Sequence, residues 1–190
     1  FTFDNPTNRV QLYYRDMQSR NECSKNIAAP VPYERIHRQL SVDGILINMI
    51  SGFDITLETL DYLRMAVRSH SIPIHLDIHS LTLGVNERCE RYHRPLVEWR
   101  RWAFMIDTIQ LNEEELASLT GGRMTEPETA GHMLTLSVKG VLVTRGECGA
   151  SLYYNDHKHV VRKDIPGIKV KVVRDTTGCG DVFGAAFQYH

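Results

Sequence analysis

Asp175-Thr176-Thr177-Gly178-Cys179-Gly180-Asp181-Val182-Phe183-Gly184 is the stretch on which the fold of this 190-residue chain is decided. The alternating run before it, Ile168-Lys169-Val170-Lys171-Val172-Val173-Arg174, predicts a strand, and Gly184-Ala185-Ala186-Phe187 after it predicts the body of a helix. A strand, a glycine-rich turn and a helix start together aim unpaired backbone N–H groups and a positive dipole end at an anion. Here the N–H groups of Gly178, Cys179 and Gly180 would form the anion hole. Asp181 falls in the first helical turn beside it, where a carboxylate can take a proton from an attacking hydroxyl. An anion cradle with a base next to it outlines a phosphoryl-transfer site. Rival motifs fail on spacing. The glycines read G-x-G-x-x-x-G rather than the dinucleotide G-x-G-x-x-G, and neither G-x-x-x-x-G-K-[ST] nor G-x-S-x-G occurs. The bland alternative is an ordinary tight strand–helix turn with a capping aspartate.

Working outward, strands and helices alternate. Residues 44–50 (Gly-Ile-Leu-Ile-Asn-Met-Ile) read as a buried parallel strand, and residues 56–69 as an amphipathic helix with Thr56 as N-cap. Further strands are predicted at 73–78, 105–111 and 141–144, and further helices at about 90–101, from Asn112 onward, and at 127–137. Residues 150–154 and 158–163 read as an antiparallel edge pair. Residues 9–15 read as half of a hairpin, with 9–16 a candidate lid strand, and 21–32, with Pro30 and Pro32, as a connector. Repeated β–α units imply one α/β domain over 1–190. Its architecture is a three-layer sandwich with a mostly parallel sheet, a small β lid near the N-terminus, and ligand sites at the strands' C-terminal ends.

Composition narrows the function classes. The formal net charge of −1 provides no global field for nucleic acid or a membrane surface, and the basic stretch 158–174 reads as a strand with one solvated face. No apolar run approaches a membrane span. Cys23, Cys89, Cys148 and Cys179 lack any C-x-x-C pairing, which reads as reduced thiols of a cytoplasmic protein.

Asp175–Asp181, D-T-T-G-C-G-D, resembles the D-T-x-G-A-G-D signature of the ribokinase-like (PfkB) carbohydrate kinases, with Cys179 in the alanine position. Asn112-Glu113-Glu114-Glu115 is similar to the family's N-x-x-E, and Val143 to Gly149 to its V-T-x-G-x-x-G. The resemblance implies an ATP-dependent kinase acting on a hydroxyl of a sugar or sugar-like molecule, with Asp181 as general base. It also implies Asn112 and Glu115 organising Mg²⁺, Glu115 through water, and Thr144, Arg145, Gly146, Gly149 and Thr176 on the nucleotide side. Against the family pattern the chain, which opens at Phe1 and ends at His190, lacks a front portion and a tail. It is therefore expected to be part of a longer protein. Two alternatives stay open: a non-catalytic nucleotide- or sugar-binding relative, and a kinase for a nucleoside or vitamin precursor. A homodimer joined through residues 9–15 is also open.

Each motif has a plainer reading beside it. Asn112 and Glu115 lie three apart on one helix face and also fit a capping box. The Thr144-Arg145-Gly146 turn offers a hydroxyl and a guanidinium suited to phosphate, or simply links two strands with Arg145 solvated. His75, Asp77 and His79 alternate as if on one strand face, which raises a metal site against the commoner reading of hydrogen-bonded core groups. By resemblance, His79 occupies the place of an asparagine that faces the phosphates. The family's sugar-contacting glutamate has no counterpart near Ser51-Gly52-Phe53-Asp54.

Overall fold

The computed structural model describes residues 6–14 and 20–189. Its centre is a six-stranded sheet made of β3 (Ile45–Asn48), β4 (Ile74–Asp77), β7 (Thr108–Asn112), β8 (Gly140–Thr144), β9 (Gly149–Asp156) and β10 (His159–Pro166), in the order β10-β9-β8-β7-β4-β3. The strands β3, β4, β7 and β8 pair in parallel, and β9 and β10 continue antiparallel to the edge. Two hairpins stand apart from this sheet. One joins β1 (Arg9–Tyr14) to β2 (Arg20–Lys25), and the other joins β5 (Leu83–Val85) to β6 (Arg91–His93).

The side-chain alternation of the strands explains the layers. On one face Ile74, Leu76, Ile109, Leu111, Val141, Val143 and Tyr153 meet the apolar stripes of four helices. These are α2 (Leu57–Arg68), α3 (Trp99–Phe104), α4 (Glu113–Thr120) and α5 (Glu126–Leu134). The helix α2 illustrates why they form: Thr56 caps it by accepting from the Thr59 N–H at 3.1 Å, and Leu60, Leu63 and Val67 recur at helical spacing toward the core. A short α1 (Tyr33–Ile36) packs outside α2. The opposite sheet face is largely polar, carrying Asn48, His75, Asp77, Thr108, Gln110, Asn112 and Thr144, and α6 (Cys179–Tyr189) lies across it on β3 and β4. This gives the expected three-layer α/β sandwich.

Several elements differ from expectation, each for a physical reason. The helix predicted over 90–101 is instead β6 followed by α3, because Pro95 biases Arg94 away from helical geometry and lacks the N–H a continuous helix needs. The connector predicted over 21–32 begins as β2, which pairs along its whole length with β1. The predicted strand over 168–174 does not form. Ile168, Val170 and Val172 are 89%, 63% and 72% exposed, because the chain leaves the sheet edge at Pro166 and has no strand to pair with. It crosses directly over the turn after β8. A Cβ at Gly167 would lie 2.0 Å from the Glu147 carbonyl, and one at Gly149 would lie 2.0 Å from the Ile165 carbonyl. Those two glycines are what lets the backbones cross. Of the candidate lid strand 9–16, residues 15 and 16 lie outside the described residues, as does the side chain of Tyr14.

One arginine ties the first hairpin to the body. Arg91 donates from Nε to Ser24 Oγ at 2.6 Å, from Nη2 to the Ile50 carbonyl at 2.9 Å, and from Nη1 to Ser80 Oγ. Burial pulls its pKa down, opposed by the carboxylates of Glu22 and Asp54. Removing the guanidinium strands two buried acceptors, the hydroxyls of Ser24 and Ser80, so Arg91→Ala should cost about 2 kcal/mol in urea unfolding. It should also speed proteolysis within the β1–β2 hairpin. An unchanged urea midpoint would refute this account of the anchor.

Candidate active site

Four neighbouring parallel strands end in a polar residue on the same face: Asn48 on β3, Asp77 on β4, Asn112 on β7 and Thr144 on β8. Parallel α/β sheets place ligands at these carboxyl ends. The start of α6 is laid over the row. Asn48 Nδ2 donates to Asp181 Oδ1, and an ideal Cβ on Gly180 would stand 3.6 Å from Gln110 Nε2 and 3.9 Å from Asp77 Oδ2. Asp181 itself is exposed.

Gly178 holds φ +81°, a conformation that L side chains rarely adopt, and it ends the turn by accepting the Val182 N–H at 3.0 Å. The turn above it is closed by Thr177 N–H donating to Asp175 Oδ1 at 2.9 Å and Cys179 N–H donating to the Thr176 carbonyl at 3.2 Å. The Cys179 amide is therefore engaged within the turn. Helix geometry leaves the first-turn amides of Gly180 and Asp181 without intrahelical acceptors.

Asn112 and Glu115 form a complete capping box: Glu115 N–H donates to Asn112 Oδ1 and Asn112 N–H donates to Glu115 Oε2, both at 2.8 Å. The other carboxylate oxygen, Oε1, lies 3.8 Å from His79 Nδ1. His79 is not on the strand with His75 and Asp77. It begins a 3₁₀ turn with φ +33°, so the three do not share a strand face as their alternation implied. The Glu115 carboxylate, as acceptor and as a negative charge, raises the His79 pKa, against burial. Burial, then the charges of Glu115 and Asp181, pushes the Asp77 carboxyl up to about 7, with His79 pulling the other way. His75 donates to or accepts from Thr108 Oγ1 through Nδ1 at 2.7 Å, stacks near Phe187, and is pushed by burial down to about 4.

Arg145 is neither solvated nor aimed at open space. Its Nε lies 3.2 Å from Glu113 Oε1, its Nη1 donates to the Val143 carbonyl at 3.0 Å, and its Nη2 binds Glu126, which also accepts from Tyr153 Oη at 2.6 Å. These contacts hold the turn from Gly146 to Gly149 in place at the end of β8. Asn48 and Gln110 escaped the sequence reading because both sit inside apolar strands. For Asn48 the readable signal was a polar residue at the end of each run, I-L-I-N, H-L-D, I-Q-L-N and L-V-T; Gln110, inside its run, carries no such signal.

The donor set is made of hard oxygens, from Asp77, Asn112, Glu115 and Asp181, beside free helix-start amides. Oxygens of this kind suit a hydrated cation of the magnesium type, and the amides suit a phosphate ester; among the described residues no three His, Cys, Asp or Glu side chains gather as a metal-binding group, so such an ion would be held largely through water. Among the described residues no helix is long and apolar enough to cross a membrane, and all four cysteines are free.

Residues 94–190, about half of the chain, match the family model described as pfkB family carbohydrate kinase. The chain is 32% identical over 127 residues to a ribokinase of Arabidopsis thaliana, covering 64% of this chain and 29% of that relative. It is 39% identical over 80 residues to fructokinase-2 of Solanum lycopersicum, covering 42% and 23%. Among solved structures, a ribokinase from Thermotoga maritima superposes with a TM-score of 0.69 at 24% identity, covering 97% of this chain and 56% of that one. A pyrophosphate-dependent kinase in the ribokinase family superposes at 0.75 and 18% identity, covering 96% and 61%. At these identities the structural likeness is one of fold. The chain spans less than a third of the curated relatives it matches.

Proposed function

Because the chain belongs to the pfkB family of carbohydrate kinases, we propose that this protein transfers the γ-phosphoryl group of ATP to a hydroxyl of a sugar or sugar-like small molecule. The observation that supports this reading above the others is the meeting of Asp181 with the strand-end row, where Asn48 fixes one oxygen of its carboxylate. Asp181 would receive the proton of the acceptor hydroxyl as that oxygen attacks phosphorus. The first-turn amides of α6, with the helix dipole behind them, would hold the charge gathering on the phosphoryl oxygens. Gly178 gives the turn the backbone angle that exposes those amides.

Asn112 and Glu115, with Asp77 across the sheet, are the residues that would hold hydrated Mg²⁺. When bound, the ion neutralises phosphate charge. Thr144, Gly146 and Gly149 would line the nucleotide side, with Thr176 at the turn and Arg145 bracing the loop from below. The β1–β2 hairpin would close over the acceptor as a lid.

The test is ATP turnover by the full-length protein against a panel of sugars and nucleosides, with Mg²⁺ and then with a chelator. Acceptor-dependent ADP release that the chelator abolishes is the expected result. ATP binding without turnover on any acceptor would overturn the reading in favour of a non-catalytic relative.

A further inference from the structure

Gln110 is a buried amide in the middle of β7, flanked in sequence by the core residues Ile109 and Leu111. An amide in such a place costs free energy unless its hydrogens are used. Both are: Nε2 donates to Asp77 Oδ2 at 3.0 Å and to the Gly180 carbonyl at 2.9 Å. The orientation follows from the partners. A main-chain carbonyl only accepts, so the reversed amide would set its own oxygen against the Gly180 oxygen. The remaining atom, Gln110 Oε1, is turned toward His75 and Gly184, where a Cβ would come within 2.9 Å of it and 3.3 Å of His75 Nε2. The side chain thus meets α6 at two points one turn apart, a hydrogen bond at Gly180 and a steric contact at Gly184.

Besides Gln110, the helix is held by Asn48 at the Asp181 carboxylate, by the Phe187 ring beside His75, and by Gln188 Nε2 at 3.5 Å from the Pro73 carbonyl, none of which bonds to the backbone of its first turn. Gly184 is its only fully buried residue, and the sheet face beneath it is polar, so apolar burial cannot set its register. We propose that Gln110 is a positioning residue that fastens the first turn of α6 to the strand-end carboxylate of Asp77, and so fixes where Asp181 and the Gly180 and Asp181 amides point. The assignment rests on the reading of Asp181 as the general base. Asn48 touches the Asp181 carboxylate directly, whereas Gln110 acts only through the backbone of Gly180. The fastening matters because displacing a reacting group by about 1 Å is enough to cost about a hundredfold in rate.

The experiment compares full-length wild type with Gln110→Met and Gln110→Glu, which keep the side chain's length and lose its donors. Leu142→Ala serves as a control: Leu142 is the neighbour of Gln110 across the β7–β8 pairing, and truncating it loosens the same face without removing a donor to α6. Amide hydrogen exchange at residues 180–184 should quicken about tenfold or more in both Gln110 variants and not in the control. With an acceptor in hand, kcat should fall by about thirtyfold while KM for ATP and acceptor moves less than about threefold. Unchanged exchange at 180–184 in the variant that folds, or a kcat loss no larger than that of Leu142→Ala, overturns the proposal. Asp181→Asn is run beside them. If that variant keeps its turnover, the base assignment falls, while the exchange result still decides whether Gln110 fastens the helix.

Discussion

Asp181→Asn in the full-length protein should lower kcat by about a thousandfold, within the range expected for loss of a positioned base, while ATP affinity changes by less than about threefold. The substitution is nearly isosteric, and the new side chain still offers an oxygen to Asn48 Nδ2, so the row of strand ends and the start of α6 stay as they are. What is lost is the ability to accept a proton. ATP should still bind, because the groups proposed to hold it are backbone amides and the Asn112, Glu115 and Thr144 side chains. Steady-state kinetics with a nucleotide-binding isotherm checks both halves, and a near-normal kcat in the variant would refute the assignment.

The second large effect concerns stability. Asp107, buried between α3 and β7, receives Arg64 Nη1 at 2.7 Å, the Ile74 N–H at 2.9 Å and Lys139 Nζ at 3.0 Å, at the end of the sheet opposite the site. Burial raises its pKa, but the bonds from Arg64, Ile74 and Lys139 together outweigh that and leave it below the ordinary aspartate value. Arg64 and Lys139 stay partly in water, so the loss is that of their charge-assisted bonds to a buried carboxylate, and Asp107→Asn should cost about 2 kcal/mol. The pH dependence has a definite sign. A carboxyl whose folded pKa is depressed contributes stability above its unfolded pKa of about 3.9 and loses it as pH falls through the folded value. Urea unfolding at several pH values should therefore show wild type losing stability below about pH 4, with that share of the acid limb absent in Asp107→Asn. A variant within experimental error of wild type at pH 7 would refute this account.

The parallel core was legible because its signals are local. Apolar runs of strand length alternate with helical stripes, and the caps at Thr56 and Asn112 sit where the sequence placed them. The edge pair β9–β10 was legible for the same reason. The two hairpins were harder. β2, with the sequence Arg-Asn-Glu-Cys-Ser-Lys, has almost no alternation and owes its extension to pairing with β1 and to the bond from Ser24 N–H to the Cys89 carbonyl at 2.7 Å. The run 168–174 failed in the opposite way: its alternation is strong, yet a strand exists only where another offers hydrogen bonds. In the candidate site, Asp181, Asn112 and Thr144 stand at motif positions and were readable. Asn48 and Gln110 became visible only once the register of β3, β4 and β7 put them beside Asp77.

The bond between Asn48 and Asp181 joins residues 133 apart in sequence, and β4 and β7 supply the groups between them. Closing so long a loop is slow unless the intervening chain is already compact. Through the earlier stages of folding, with the helices packed on the far face and the sheet paired, the protein therefore holds no complete site. The candidate site exists only once residues 48 and 181 have met, and a refolding molecule can regain it no sooner than α6 docks.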